Sequence, residues 1–444
     1  EGDPEAGTQV LISTIDYNEY VGRIGVGKVD NGVIKINQEA VIVNANDPEK
    51  MQKVKVSALY EYDGLRKVNV KEATIGGRAF YVAPDGSDSA AGTLDAPFAT
   101  PEAAMAEIRR LKAADLLEPG PVYVYFRGGS YDRRTPFTLT AEDSGTEESP
   151  IVFASYPGEK ALFNGGKKLD ASKAQKVTDQ EILDRILDPF ARTRLMQIDL
   201  GEQGVDGFYG LANWSYDTPY LIDFYVNGSA MNLARWPNDE EGSAFIKITS
   251  VEGTDASQPF TLGFEDPAGR TARWHADSLK NLAIKGGLAN EYTIVSNCVA
   301  SVDSQNNKLI TVSGSAVYPT TQWGKFYFYN LLDEIDVPGE YFIDNETKML
   351  YFYPTTDDLE NADLIVSQHE DAMFKINGAA YITLQNLAFS YSKRTPVVVD
   401  ASHVTLDGCT ISHTGVHGAA LSGTDITVKN CHIFDIACDG INLS

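Results

Sequence analysis

The last 65 residues carry the most regular alternation of apolar and polar positions in the chain. Ile382, Val404 and Ile426 lie 22 residues apart, and so do Leu384, Leu406 and Val428. The same interval separates Leu387, Cys409 and Cys431, and then Phe389, Ile411 and Ile433. Val397, Ala419 and Ile441 keep the register, as do Val399, Leu421 and Leu443. Within each unit the apolar side chains alternate, which is the period of a strand. A unit of this length with several short strands predicts one rung of a parallel β-helix. Each rung buries its inward side chains only by stacking on the next. A leucine-rich repeat of similar length would need a Leu framework and a helical half, and the units have neither.

Upstream, residues 78–166 predict a strand at 78–82 and a loop rich in Gly, Asp and Ser. A helix opens at Thr100-Pro101-Glu102, with Thr as cap and Pro in the first turn. Met105, Ile108 and Leu111 form its apolar face, and Pro119-Gly120 is expected to stop it. Short strands follow at 122–126, 137–140, 151–155 and 161–163. Residues 167–360 lack the 22-residue interval and are rich in aromatics. "KFYFYN", "GEYFID" and "KMLYFYP" read as alternating aromatic strands joined by Pro-Gly and Asp-Asn turns. They predict an inserted antiparallel β-domain or sandwich, after which the rungs occupy 361–444.

Residues 1–77 are a string of short strands at 10–15, 20–29, 33–36, 38–43 and 54–60. Asp30-Asn31-Gly32 reads as a hairpin turn between the second and third. The string predicts a small β-barrel. Gly22-Arg23-Ile24-Gly25-Val26-Gly27-Lys28 fits the first seven positions of a phosphate-binding loop. The eighth position is Val29 rather than Ser or Thr, and strand alternation continues where a helix should begin. Glycines on a curved strand account for it better. Gly76-Gly77 marks a turn or linker. Before it lie 9 basic and 12 acidic residues; after it lie 28 and 50, with every Trp, Cys and His. The fold class is thus all-β: a parallel β-helix with an inserted antiparallel domain, preceded by a small barrel.

Over 444 residues the formal net charge is −25. That argues against a general nucleic-acid binder or a partner of anionic membranes, since both present phosphates that need a positive face. No apolar run reaches the length of a membrane-spanning helix. The opening Glu1-Gly2-Asp3-Pro4 has neither an initiator Met nor a signal-peptide pattern, so the chain is expected to be an internal piece of something longer. Four cysteines without CxxC spacing make neither a disulfide scaffold nor a zinc site. Cys409 and Cys431, one rung apart in the inward register, are either a disulfide or, the preferred reading, stacked free thiols.

The words "STIDYNEYVGRIGVGKVDNGVIKINQEAVIV" and "LYEYDGLRKVNVKEATIG" closely resemble the second, β-barrel domain of the BipA/TypA translational GTPases. The resemblance covers roughly residues 1–76 and implies a partial barrel of a cytoplasmic protein type. The GTPase domain and the later ribosome-contacting domains of that family have no counterpart in this sequence, so GTPase activity is not implied.

Residues 78–444 resemble right-handed parallel β-helix proteins of carbohydrate metabolism, nearest to a branch of fucosidase- and xylanase-type glycoside hydrolases. The matching text includes "FYVAPDGSDSAAGTLDAPFATPEAA", "EDSGTEESPIVFASYPGEKALFNGG", "MNLARWPN", "NLLDEIDVPGEYFIDNETKMLYFYP" and "ISHTGVHGAALSG". The resemblance implies a right-handed helix, an oligo- or polysaccharide partner, an extracellular or periplasmic location and a two-carboxylate mechanism with no metal or cofactor. It places the catalytic acids in later rungs, in motifs of the kind "DSGA" and "LDD". Neither word occurs here, so the catalytic carboxylates are expected beyond Ser444. The join near Gly77-Arg78 unites a cytoplasmic and a secreted protein type. It reads as a fused, misassembled or truncated chain, and its last rung is expected to be uncapped and prone to self-association.

Within the chain, register puts Tyr391, His413 and Asp435 in one column and Thr395, His417 and Asp439 in the next. A His and an Asp one rung apart suit an acid/base or sugar-contacting pair, or a structural turn ladder. The same choice applies to Asp333, Glu334 and Asp336, read here as structural. Trp214, Arg235 and Trp236 are candidates to border a sugar cleft, or equally to hold the insert on the helix. The first functional expectation is a glycoside hydrolase relative acting on a plant or host glycan. A polysaccharide lyase is second; the scarcity of basic residues in the rungs (Lys393, Arg394, Lys429) speaks against it. A non-catalytic glycan-binding or adhesin module is the alternative class, and a ribosome-associated fragment the third.

Overall fold

The computed structural model describes residues 7–18, 22–44, 47–63, 66–74, 78–117, 120–208, 221–238, 244–253, 256–290, 292–314 and 319–443. Gly76-Gly77 and Pro119 lie outside them. The 22-residue interval is a parallel ladder. Ile382 faces Val404 and Val404 faces Ile426, while Leu384, Leu406 and Val428 form the next inward column. A second wall stacks Phe389 on Ile411 and Ile433. A third stacks Val397 on Ala419 and Ile441. The inward residues of all three walls make one continuous core, which is how a rung compensates the entropy of ordering its short strands.

The stack extends upstream of the visible repeat. Ala79–Val82, Val122–Phe126 and Ile151–Ser155 run parallel and join the first wall, with Ile151 opposite Ile382. Gly129–Asp132 and Ala161–Asn164 join the second wall, and Phe137–Leu139 the third. The early rungs use large aromatics inside and the late rungs small aliphatics, so no common spacing reveals them. The helix Pro101–Ala113 lies beside the first strands with Met105, Ile108 and Leu111 buried, and the Thr100 hydroxyl caps it at Ala103 N. It ends at Ala113, before the expected Pro119-Gly120 stop, because Ala114 already closes its last turn on the Arg110 and Lys112 carbonyls. Asp143, fully buried, takes a bidentate pair from Arg109 at 2.6 and 2.9 Å and ties this helix to the first rungs.

The corners of the rungs use left-handed backbone in columns. Tyr381, His403 and Asp425 form one, Asn386, Gly408 and Asn430 a second, and Tyr391, His413 and Asp435 a third, with φ between 53° and 67°. Residues other than glycine rarely adopt this conformation. A Cβ on Gly408 would meet Asn386 Oδ1 at 2.2 Å. Gly408→Val is therefore expected to lower stability by about 2 kcal/mol or more, read as a fall in the denaturant midpoint. An unchanged midpoint would show that the corner relaxes freely. Cys409 and Cys431 are free thiols, each directed at a carbonyl of the rung before, Leu384 O at 3.4 Å and Leu406 O at 3.6 Å.

Between the rung of Ile151–Ser155 and that of Ile382–Gln385 the chain leaves the stack and returns. Gly166–Lys168 pairs antiparallel with Leu364–Ser367 at the neck of this excursion. Beyond it, two antiparallel-rich sheets face each other across Ile198, Phe224, Tyr341, Leu350, Phe352 and Leu364. A further set of six strands closes into a ring. It runs Lys325–Tyr329, Ile246–Glu252, Thr261–Phe264, Lys308–Thr311, Val295–Asp303 and Ala283–Gly287, which pairs back with Lys325–Tyr329. Phe264, Phe326, Phe328 and Trp274 fill it. The three aromatic strand words are divided between these bodies, "KFYFYN" in the ring and the other two in the sandwich.

The strands of residues 7–74 pair as four two-stranded antiparallel ladders. The expected hairpin at Asp30-Asn31-Gly32 is corrected. Val33–Lys35 pairs with Glu72–Thr74 instead, and Gly22–Asn31 pairs with Gln9–Asn18. The Gly-Lys run is part of that strand. A Cβ on Gly27 would lie 2.0 Å from Leu11 O, so glycine is needed there for close strand approach and not for a phosphate.

Candidate functional site

The rungs and the insert meet along a seam on the second wall. From the rungs come Tyr391, Lys393, His413 and Gly415. From the insert come Asp223, Tyr225, Gly228 and Ser367. Tyr391 stacks on His413 at 4.8 Å between centroids, and Tyr225 sets its edge against both rings at 5.1 and 5.2 Å. His413 Nε2 lies 2.7 Å from Gly228 O, so this nitrogen carries the hydrogen and donates it. Nδ1 lies 3.0 and 2.9 Å from the hydroxyls of Ser390 and Ser412. Both ring nitrogens are thus engaged, and Asp435 stands 3.6 Å from Nε2. The arrangement holds the insert's hairpin on the rungs.

The second column has the expected contacts. His417 Nδ1 lies 3.3 Å from Asp439 Oδ2 and accepts Asp439 N–H at 3.3 Å, while His417 N–H donates to Thr395 Oγ1 at 3.3 Å. A third column escaped sequence reading. Tyr381 stacks on His403 at 4.5 Å, and His403 Nδ1 lies 3.3 Å from Asp425 Oδ2 on an exposed corner. Two corners of the helix thus repeat a Tyr–His–Asp ladder, and all six residues have left-handed backbone. That recurrence supports the turn-ladder reading.

Sequence reasoning also missed Asp223. It sits half-buried and closely surrounded by protein, one residue before the strand Phe224–Val226. Its N–H donates to Ser367 Oγ at 2.8 Å, and the Ser367 hydroxyl donates to Asp223 Oδ2 at 3.2 Å. Burial pushes the Asp223 carboxyl up to about 6, against the opposing pull of Ser367, Lys393 and Lys285. A lone acid inside the apolar run Leu221-Ile222-Asp223-Phe224-Tyr225-Val226 was the available signal, because a carboxylate is expensive to bury. Nearby, Lys393 is fully enclosed. Its ammonium donates to Gly207 O at 2.9 Å and pairs with Glu370 at 3.3 Å. Burial lowers its pKa, with Glu370 opposing.

Trp214 lies outside the described residues. Arg235 donates to Pro237 O at 2.9 Å and Ala244 O at 2.6 Å, and lies 3.5 Å over the Tyr327 ring. Trp236 stacks on Phe328 at 6.1 Å and meets Trp274 edge-on at 5.9 Å. Both therefore belong to the closed ring of strands and not to the seam. Asp333 and Glu334 are fully buried. Glu334 accepts from Arg270 and from the Trp274 indole, and Asp333 accepts His275 N–H at 2.6 Å. Every one of these contacts fastens the insert. Among the described residues no group of three or more His, Cys, Asp or Glu is placed to hold a metal ion, and no helix is long and apolar enough to cross a membrane.

Residues 342–444 match the family described as "Right handed beta helix region". The stack is a right-handed parallel β-helix. A solved structure titled "Glycoside hydrolase" superposes with a TM-score of 0.63 at 18% identity, over 82% of this chain and 67% of that one. At that identity it speaks for the fold alone. Pectate lyase PEL9 of Emericella nidulans is 38% identical over 85 residues, 19% of this chain and 18% of that protein. The large ribosomal subunit assembly factor BipA of Synechocystis sp. is 37% identical over 75 residues, 17% of this chain and 12% of that protein. The same factor from Bacillus subtilis is 34% identical over 68 residues, 15% and 11%. The chain therefore spans less than a fifth of these curated relatives, and two unrelated kinds of protein contribute the likenesses.

Proposed function

We propose that the β-helix part of the chain is carbohydrate-active and cleaves an oligo- or polysaccharide of plant or host origin at the seam, as a glycoside hydrolase relative. The observation that carries the reading is Asp223, a carboxyl held near pH 6 where rungs and insert meet. A glycosidic general acid must keep its proton close to working pH and give it to the leaving oxygen. Burial supplies the first requirement. A second carboxylate is also required, and two carboxyls border the seam: Glu370, paired with Lys393 at 3.3 Å, and Asp435, 3.6 Å from His413 Nε2. An extracellular or periplasmic location accompanies this reading.

Asp223→Asn is expected to cut reducing-end release from a polysaccharide panel by about 100-fold or more. The parent's rate is expected to fall as pH rises through about 6, since the acid acts protonated. Stability carries the same sign. An unfolded Asp titrates near 3.9, so the folded chain binds more protons between that value and about 6 and loses stability as pH rises through this window. The Asn variant is thus expected to be more stable than the parent at pH 8, with the gain vanishing below pH 4. A variant with the parental rate would overturn the assignment.

Lys393 favours a second reading, a polysaccharide lyase, because its lowered pKa suits a base and the relative PEL9 is a pectate lyase. Products separate the two, since a lyase leaves an unsaturated uronide that absorbs ultraviolet light and a hydrolase does not. Retention by a glycan with neither product would favour a non-catalytic binding or adhesin module. The BipA likeness motivates ribosome association for residues 1–76, and co-sedimentation with ribosomes tests it.

A further inference from the structure

We propose that the outward face of the first rungs is a second glycan surface, on which an uncharged polysaccharide chain lies across Tyr81, Tyr123, Tyr125 and Tyr156. It rests on the reading of the protein as carbohydrate-active, but on a different wall from the seam. Side chains alternate along a strand, so while Phe80, Val122, Val124 and Phe126 point into the core, the tyrosines between them point out. Tyr123 and Tyr125 are parallel within 4° at 5.2 Å, Tyr81 stacks on Tyr125 at 5.8 Å, and Tyr156 meets Tyr125 edge-on at 5.9 Å. All four rings are only half-buried. The column of Tyr123 runs on to Val152, which is buried, and re-emerges at Thr383 and Thr405 in the later rungs.

Such a face suits a pyranose chain. The C–H groups on a sugar's flat side carry the positive edge that an aromatic face attracts, and hydroxyls meet hydroxyls at the rim. Charge selects the kind of polymer. The chain carries −25 overall, yet this face is neutral. Arg127, over the Tyr156 ring at 5.0 Å, is paired with Glu159 at 2.8 Å, and Asp407 with Lys429 at 3.3 Å. A uronate polymer would meet the repulsion of the whole molecule while Arg127 and Lys429 are already engaged by Glu159 and Asp407, whereas a neutral one does not. Burial and the neighbouring hydroxyls hold the Tyr81 and Tyr125 phenols above their ordinary range.

The test is electrophoresis of the whole chain through gels containing soluble xylan, a neutral β-glucan or polygalacturonate. Retardation by a neutral polymer is expected. In Tyr81→Ala/Tyr125→Ala its dissociation constant should rise roughly tenfold or more. Tyr81→Phe/Tyr125→Phe, which keeps the faces, should bind within about threefold of the parent. Thr383→Glu leaves every tyrosine in place and sets a longer, strongly hydrated side chain in the column of Tyr123, so it should weaken binding by obstructing the polymer's path, which keeps the proposal testable if the double alanine variant does not fold. Equal retardation of parent, double alanine and Thr383→Glu chains would overturn it, as would retardation by polygalacturonate alone or by no polymer. Reducing-end release from short soluble oligosaccharides is the separate measure of the seam. If that persists without retardation, this surface falls and the seam reading stands.

Discussion

Phe374→Ala is expected to destabilise the β-helix by about 3–5 kcal/mol. The ring is fully buried at the meeting point of the walls, edge-on to Phe137 at 4.9 Å, Phe153 at 5.3 Å and Phe163 at 5.7 Å, with Phe389 at 6.2 Å. Those neighbours come from rungs on both sides of the excursion, so no single rung can collapse to fill the void. Each lost edge-to-face contact adds to the transfer term. Lys375, the next residue, points outward, and Lys375→Ala should stay within about 0.5 kcal/mol. Urea unfolding followed by far-ultraviolet circular dichroism reads both. A Phe374→Ala midpoint equal to that of Lys375→Ala would mean the early and late rungs do not share a core.

Glu334→Ala should cost a comparable amount, about 3–5 kcal/mol. Glu334 is fully buried, and Arg270 reaches it through Nε at 2.9 Å while also holding Asp336 at 2.7 Å. Removing the carboxylate leaves the guanidinium enclosed with only Asp336 and strands the Trp274 indole N–H, which is dearer than never having buried the pair. Exchanging both partners, Arg270→Met with Glu334→Leu, is therefore expected to recover most of the loss. Trp274 lies in the same ring of strands and reports through its fluorescence. A double variant no better than the single would show that the pair acts mainly through its contacts to Asp336.

The late rungs were legible because their inward residues are small, alternate cleanly and recur at one spacing; every one of the six columns drawn from that spacing that lies in a strand is a parallel pairing. The early rungs hid because Phe80, Phe126, Phe153 and Phe163 fill the same interior with fewer, larger side chains and loops of unequal length. The closed ring was beyond reach, since its decisive pairing joins Ala283–Gly287 to Lys325–Tyr329 across the two strands that lie between them in the chain. At the seam, the His413 and Asp435 column followed from register, whereas Asp223 did not. Its neighbours Ser367 and Lys393 are far off in sequence, and only folding brings their chemistry to one carboxyl. Arg235 and Trp236 illustrate the converse, residues of sugar-binding type whose bonding groups are occupied inside the insert.

Ser155 and Asn386 are 231 residues apart, yet the serine hydroxyl touches the asparagine carbonyl at 2.7 Å. For an unstructured chain that is a long loop to close before any contact rewards it, and such distant pairings delay assembly. The antiparallel clasp of Gly166–Lys168 on Leu364–Ser367 changes the kinetics. Once the excursion has organised itself, its two ends are already side by side, and the remaining gap between successive coils is little more than one rung of chain. The early coils should accordingly acquire protection from hydrogen exchange only after the excursion does, so that the timing of the spiral is set from outside it.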